Sequence, residues 1–172
     1  MKTKLLILVT LFLGFSFTIM AQSEDEAIKT CLNNYLEGLT KGDTARLNKA
    51  FHPTAVLKTV TPEGAIREST GKRFVASAPA GGMKATPKIL SYSYAGVSAT
   101  AALELVFTDF KYIDLVSLLK FGNEWKIVCR VYSKAELTDN LVSPMGGGSS
   151  NVAGKSSTAP AKKAAKKNDG WD

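Results

Sequence analysis

The chain has 172 residues, 45% of them hydrophobic, and a formal net charge of +7. The charge is unevenly placed: Lys2 and Lys4 supply +2, the stretch from Ser143 onward supplies +3, and +2 is left for everything between. A nearly neutral middle is a poor footprint for specific nucleic-acid binding, and one His with two distant Cys makes no metal-ligand cluster.

The first residues read as an export signal. Lys2 and Lys4 precede an apolar run from Leu5 to Met20, and Ala21 is the small residue before a cut. Cleavage there would leave Gln22 first and place the protein outside the cell or in the periplasm. No Cys follows the run, so no lipid anchor is expected at that point. The run is also shorter than the ~20 residues of a membrane span. Residues 1–21 are thus assigned to a signal peptide and 22–142 to one domain. Residues 143–172, dominated by Gly, Ser, Ala and Lys, are assigned to a disordered tail, because such a composition buries too little apolar area to offset chain entropy. Its Lys162-Lys163 and Lys166-Lys167 pairs suit weak contact with an anionic surface.

Ser23 followed by Glu24, Asp25 and Glu26 predicts a capped helix start. Ile28, Cys31, Leu32, Tyr35, Leu36 and Leu39 then form one apolar stripe at helical spacing, and Gly42 ends the helix. Asp43 caps a second, short helix with Leu47, Ala50 and Phe51 inward, which Pro53 stops. Ala55–Val60 predicts a strand, Pro62-Glu63-Gly64 a turn, Ala65–Glu68 a return strand and Arg73–Ala76 one helical turn. Lys88–Ala95, Ala99–Phe107, Tyr112–Phe121 and Glu124–Ala135 follow as longer strands, the last two joined at Gly122-Asn123. Helices first and an antiparallel meander after them make an α+β domain.

Two segments carry a resemblance. Early stand Tyr35, Gly42, Asp43, Phe51, His52, Pro53 and Ala55; late stand Asp114, Leu118, Leu119, Lys120, Trp125, Lys126 and Ile127. Together they resemble the NTF2-like superfamily, closest to the bacterial group labelled putative lumazine-binding. The resemblance implies a cone: N-terminal helices packed on a strongly bent antiparallel sheet, with a hollow for a ligand. Members include isomerases, dehydratases and transport adaptors, so fold alone does not fix function.

Similarity to ketosteroid isomerase within that superfamily places its oxyanion-donor tyrosine on Tyr35, its carboxylate base on Thr59 and its second, protonated carboxyl on Ser117. Hydroxyls at the last two positions are too weakly basic to take a carbon-bound proton, so that chemistry is disfavoured. The same match turns Arg130, Tyr132 and Lys134 toward the hollow, since alternate residues share a strand face. The implied ligand is small, partly apolar and suited to a cationic wall, held by Tyr35, Arg130, Tyr132 and Ser117, with no cofactor, metal or catalysis.

Alternatives stay open at several residues. His52, the only histidine, is either a helix-end packing residue or a general base. Asp114 interrupts an apolar strand and is either a partner for Arg130 or functional. With Tyr35 these would make a general acid/base enzyme of dehydratase or hydrolase type. Cys31 and Cys129 either pair in an oxidising compartment or stay as thiols. The third reading is an interaction module that forms a homodimer through the outer face of the sheet, as the resemblance implies.

Overall fold

A computed structural model describes residues 23–142. Ser23 accepts a 3.2 Å hydrogen bond from the Glu26 amide and opens helix α1 (Glu24–Lys41). Gly42 closes it in the left-handed conformation, φ 68°. Asp43 Oδ1 accepts from the Arg46 amide at 3.0 Å and starts α2 (Thr44–Ala50). The whole α1 stripe from Ile28 to Leu39 is buried. Lys126 reaches back to donate to the Lys49 carbonyl at 2.8 Å, satisfying an orphan acceptor in the last turn of α2.

The chain then builds β1 (Phe51–Val60), β2 (Ile66–Thr70), α3 (Gly71–Ala76), β3 (Thr86–Ala95), β4 (Ser98–Val106), β5 (Lys111–Phe121) and β6 (Glu124–Ala135). They form one open six-stranded sheet in the order β2-β1-β6-β5-β4-β3. Four of the pairings are antiparallel, but β1 and β6 run parallel. The sheet is therefore mixed rather than wholly antiparallel. The last strand closes the meander beside β1, and a pattern of alternating side chains carries no record of a neighbour's direction. Strand β1 also starts four residues earlier than the sequence predicts. Pro53 lies where pairing with β6 is irregular, between Phe51 and Val56, and there no ladder donor is needed. Register shifts at Ile89/Ser91 and at Ser117/Leu118 are bulges, which bend a sheet.

The inner face packs on the helices. Leu103, Leu105, Val116, Leu118, Trp125 and Ile127 meet Ile28, Leu32, Tyr35 and Leu39 in one buried cluster. Glu24 ties the start of α1 to the terminal hairpin, accepting from Trp125 Nε1 at 2.9 Å and pairing with Lys120. The Lys120 and Trp125 hydrogen bonds hold its carboxyl below the ordinary 4.5. A depressed acid stabilises above its unfolded value and fails as pH falls through the folded one. Protection of the first-turn amides of α1 against exchange should therefore fall, ahead of the core amides, as pH drops below the ordinary 4.5, and Glu24→Gln should show the same loss of protection at neutral pH.

Among the described residues no helix is long and apolar enough to cross a membrane. The export signal and the basic tail expected from the sequence lie outside the described residues.

Candidate functional site

Even-numbered residues of β5 face inward and odd ones outward: Asp114, Val116 and Leu118 are buried, while Leu115, Ser117 and Leu119 are exposed. Asp114 thus enters the core, where a lone carboxylate is costly. Two partners meet it. Tyr35, from the middle of α1, donates its hydroxyl to Oδ2. Arg130, from β6, donates from Nη2 to Oδ1 at 2.8 Å. All three are essentially inaccessible, at 0%, 1% and 4% exposure for Tyr35, Asp114 and Arg130.

Rings surround the guanidinium. Its carbon lies 3.9 Å from the centroid of Tyr132, 5.2 Å from that of Phe74 on α3 and 5.7 Å from that of Tyr35. Phe51 meets Tyr35 edge-on at 5.2 Å. Beyond Tyr132 the rings continue outward through Tyr112 to Phe110 and Phe107, and Lys134 Nζ sits 3.9 Å from the Phe110 centroid. Along the inward side of β6, Arg130 is buried, Tyr132 half-buried and Lys134 exposed. This face runs from the core to solvent.

Burial pushes the Tyr35 hydroxyl well above its ordinary value, so it is a neutral donor near pH 7. Burial opposes the charge on Arg130, but Asp114 and the two tyrosines outweigh it and raise the guanidinium above its ordinary value. Arg130 is therefore charged as well as buried. One buried donor remains over: Arg130 Nε has no hydrogen-bond acceptor among the described residues.

The arrangement corrects several expectations. Ser117 is on the outer face and cannot join Tyr35 and Arg130. The carboxyl that meets Tyr35 is Asp114. Both its oxygens are engaged, one by a cation, which leaves it poorly placed to take a proton from a substrate. His52 lies on the outer side with Phe121, its ring stacked at 4.7 Å and its Nδ1 2.8 Å from the Thr54 hydroxyl. The sheet separates His52 from Asp114, so the two do not form a catalytic pair. Cys31 and Cys129 are free thiols. Cys31 faces the core and donates to the Ala50 carbonyl at 3.5 Å, whereas Cys129 lies on the outer side opposite Ser117. A disulfide would have to pass through the sheet. Phe74 is the contributor that the sequence did not single out, because a short helix after a turn carries no mark of what its ring will touch.

Two clefts open elsewhere among the described residues. A cleft of about 500 Å³ lies at the rim between the end of α1, the segment before β3 and the β4–β5 turn, walled by Thr40, Met83, Thr86, Phe107 and Thr108. Another of about 460 Å³ lies on the outer face, over Ser93, Thr100, Leu115, Ser117, Cys129 and Val131. Neither touches Tyr35, Asp114 or Arg130. Phe51, Phe74 and Tyr132 pack around the trio.

Residues 23–133 match the family described as putative lumazine-binding. The chain belongs to that family. Solved structures agree on the fold. An NTF2-like protein of unknown function from Shewanella baltica is 23% identical, with TM-score 0.58, over 64% of this chain and 93% of that one. An NTF2-like protein of unknown function from Silicibacter pomeroyi is 23% identical, with TM-score 0.56, over 66% and 99%. One from Methylobacillus flagellatus, also of unknown function, is 25% identical, with TM-score 0.53, over 64% and 93%. No curated protein matches the sequence. The NTF2-like fold expected from the sequence is therefore the fold of this domain.

Proposed function

We propose that this putative lumazine-binding family member is an exported, non-catalytic binder of a small planar ligand. The ligand is partly apolar and carries an acceptor or anionic edge. The observation that carries this reading is the leftover donor of Arg130. A buried cationic N–H with no acceptor is costly, and such groups are kept where a ligand completes them. Tyr132, Tyr112 and Phe110 supply flat faces for a ring between that donor and solvent. Lys134 adds positive charge at the outer end. The ligand would enter along this face by swinging the half-buried Tyr132 aside, with the Asp114–Tyr35 brace holding the guanidinium in place. Export rests on the leader pattern of residues 1–21.

Arg130→Lys separates this reading from a purely structural one. Lysine keeps a charge for Asp114 but lacks Nε and the planar fork. Binding of lumazine or another planar acidic heterocycle should weaken by about tenfold or more, the worth of ~1.4 kcal/mol. Equal binding by the variant would refute the assignment.

A second reading draws on the outer face, where Leu115, Leu119, Phe121 and Val131 are 38–50% exposed. Exposed apolar residues clustered on a sheet suit a homodimer interface. Concentration-dependent sedimentation, abolished by Leu115→Asp, would support it.

A further inference from the structure

The cleft at the rim has fixed walls. On one side the Gly82 amide donates to the Pro79 carbonyl, the Met83 amide to the Leu39 carbonyl and the Ala85 amide to the Met83 carbonyl, each at 2.9 Å. On the other side the Phe107 amide donates to the Phe110 carbonyl at 2.9 Å and closes the β4–β5 turn. Thr86 and Val106 are register partners, so the two sides join where β3 meets β4. An opening of about 500 Å³ between such walls is of small-molecule size and needs no rearrangement to form.

The lining divides into two chemistries. Met83, Ala85, Val106 and Phe107 are apolar, whereas Lys84, Thr86 and Thr108 are polar. Lys84 is exposed and enters no ion pair among the described residues. No carboxylate lines the cleft with it, so its positive charge stands unbalanced there. The amides of Gly82, Met83, Ala85 and Phe107 are spent on the wall bonds. The side-chain donors left for a ligand are one ammonium and the threonine hydroxyls. That set suits a single negative charge better than a phosphate, whose several oxygens call for more charged donors.

We propose that the rim cleft is a binding site for a short aliphatic carboxylate, with its charged end at Lys84 and its alkyl body against Met83 and Phe107. Thr86 and Thr108 offer hydroxyls to the carboxylate oxygens. Met83 suits a flexible chain, because an unbranched thioether adapts to irregular shapes. The site is separate from the Arg130 face and does not rest on the binding reading.

Hexanoate is the probe, since it carries one charge on an apolar chain and is not planar. Titrated into isotope-labelled full chain, it should shift the amides of residues 83–86 and 107–108 saturably, and inorganic phosphate should not. Lys84→Gln should weaken hexanoate by about fivefold, the upper worth of a single exposed ion pair. Lys84→Glu should weaken it further. Both changes fall at an exposed position, so the fold is kept. Rim amides unmoved by hexanoate would overturn the proposal, as would equal affinity in the parent and Lys84→Gln. Shifts confined to residues 130–134 would put the carboxylate on the Arg130 face and overturn it too. The binding reading is tested at Arg130 and this site at Lys84, so each can fail without the other.

Discussion

Asp114→Asn should cost the domain about 3–5 kcal/mol, the range for breaking a buried ion pair by removing one partner. The reason lies less in the lost attraction than in what is left behind. Arg130 would stay buried with its charge uncompensated, at 4% exposure, and the Tyr35 hydroxyl would face a neutral amide. Against a total stability of 5–15 kcal/mol typical of domains, the loss is a large fraction. Urea denaturation gives the value. A companion experiment isolates the charge: Asp114→Leu combined with Arg130→Met removes both partners, and such exchanges are often neutral or stabilising. The double variant should recover most of the stability. If Asp114→Asn unfolded no more easily than the parent, the two groups would not be held as a dry pair.

Gly82→Ala should cost roughly 2–4 kcal/mol, combining backbone strain with a forced displacement. Gly82 has φ 79°, and a Cβ there would lie 2.1 Å from the Thr40 carbonyl oxygen and 2.4 Å from its carbon. Both are backbone atoms at the end of α1, so no side chain can rotate away. Relief requires the segment before β3 to lift off the helix, which breaks the 2.9 Å bond from the Met83 amide to the Leu39 carbonyl. Gly81→Ala is the control. Its φ is 85°, but nothing lies within 4 Å of a Cβ, so only the conformational cost of about 1–2 kcal/mol applies. Thermal unfolding of the two variants should rank them in that order. Because the displaced segment forms one wall of the rim cleft, Gly82→Ala should also loosen that opening.

Much of the architecture can be read from local chemistry. Ser23, Gly42 and Asp43 mark helix ends, since caps act within three residues and do not depend on the rest of the fold. The buried stripe of α1 and both strands of the terminal hairpin are legible for the same reason: period and turn are properties of neighbouring residues. The parallel β1–β6 pairing is not legible, because it is decided by how distant strands share an edge. The filling of the interior by Phe74 and Tyr132 is equally invisible, as it depends on the final approach of α3 to the sheet.

Some site expectations failed although the sequence carried the signal. Asp114 and Ser117 are an odd number of positions apart on one strand, so they cannot share a face. The similarity to ketosteroid isomerase, which puts Ser117 at the hollow, conflicts with that parity. Cys129 directly precedes Arg130, so placing the arginine inward already turns the cysteine outward, away from Cys31. The cost of an unpaired buried charge points to the meeting of Asp114 with Arg130. Only the resemblance points to the tyrosine that completes the brace.

The binding reading stands or falls with the open donor on Arg130. Calorimetric titration of the folded domain with lumazine and a short series of planar acidic heterocycles, for the parent chain and for Arg130→Lys, tests it most directly. The account predicts saturable one-to-one binding by the parent, weakened by about tenfold or more in the variant while its unfolding stays cooperative. Indistinguishable affinities in the two proteins, or no heat from any member of the series, would contradict it.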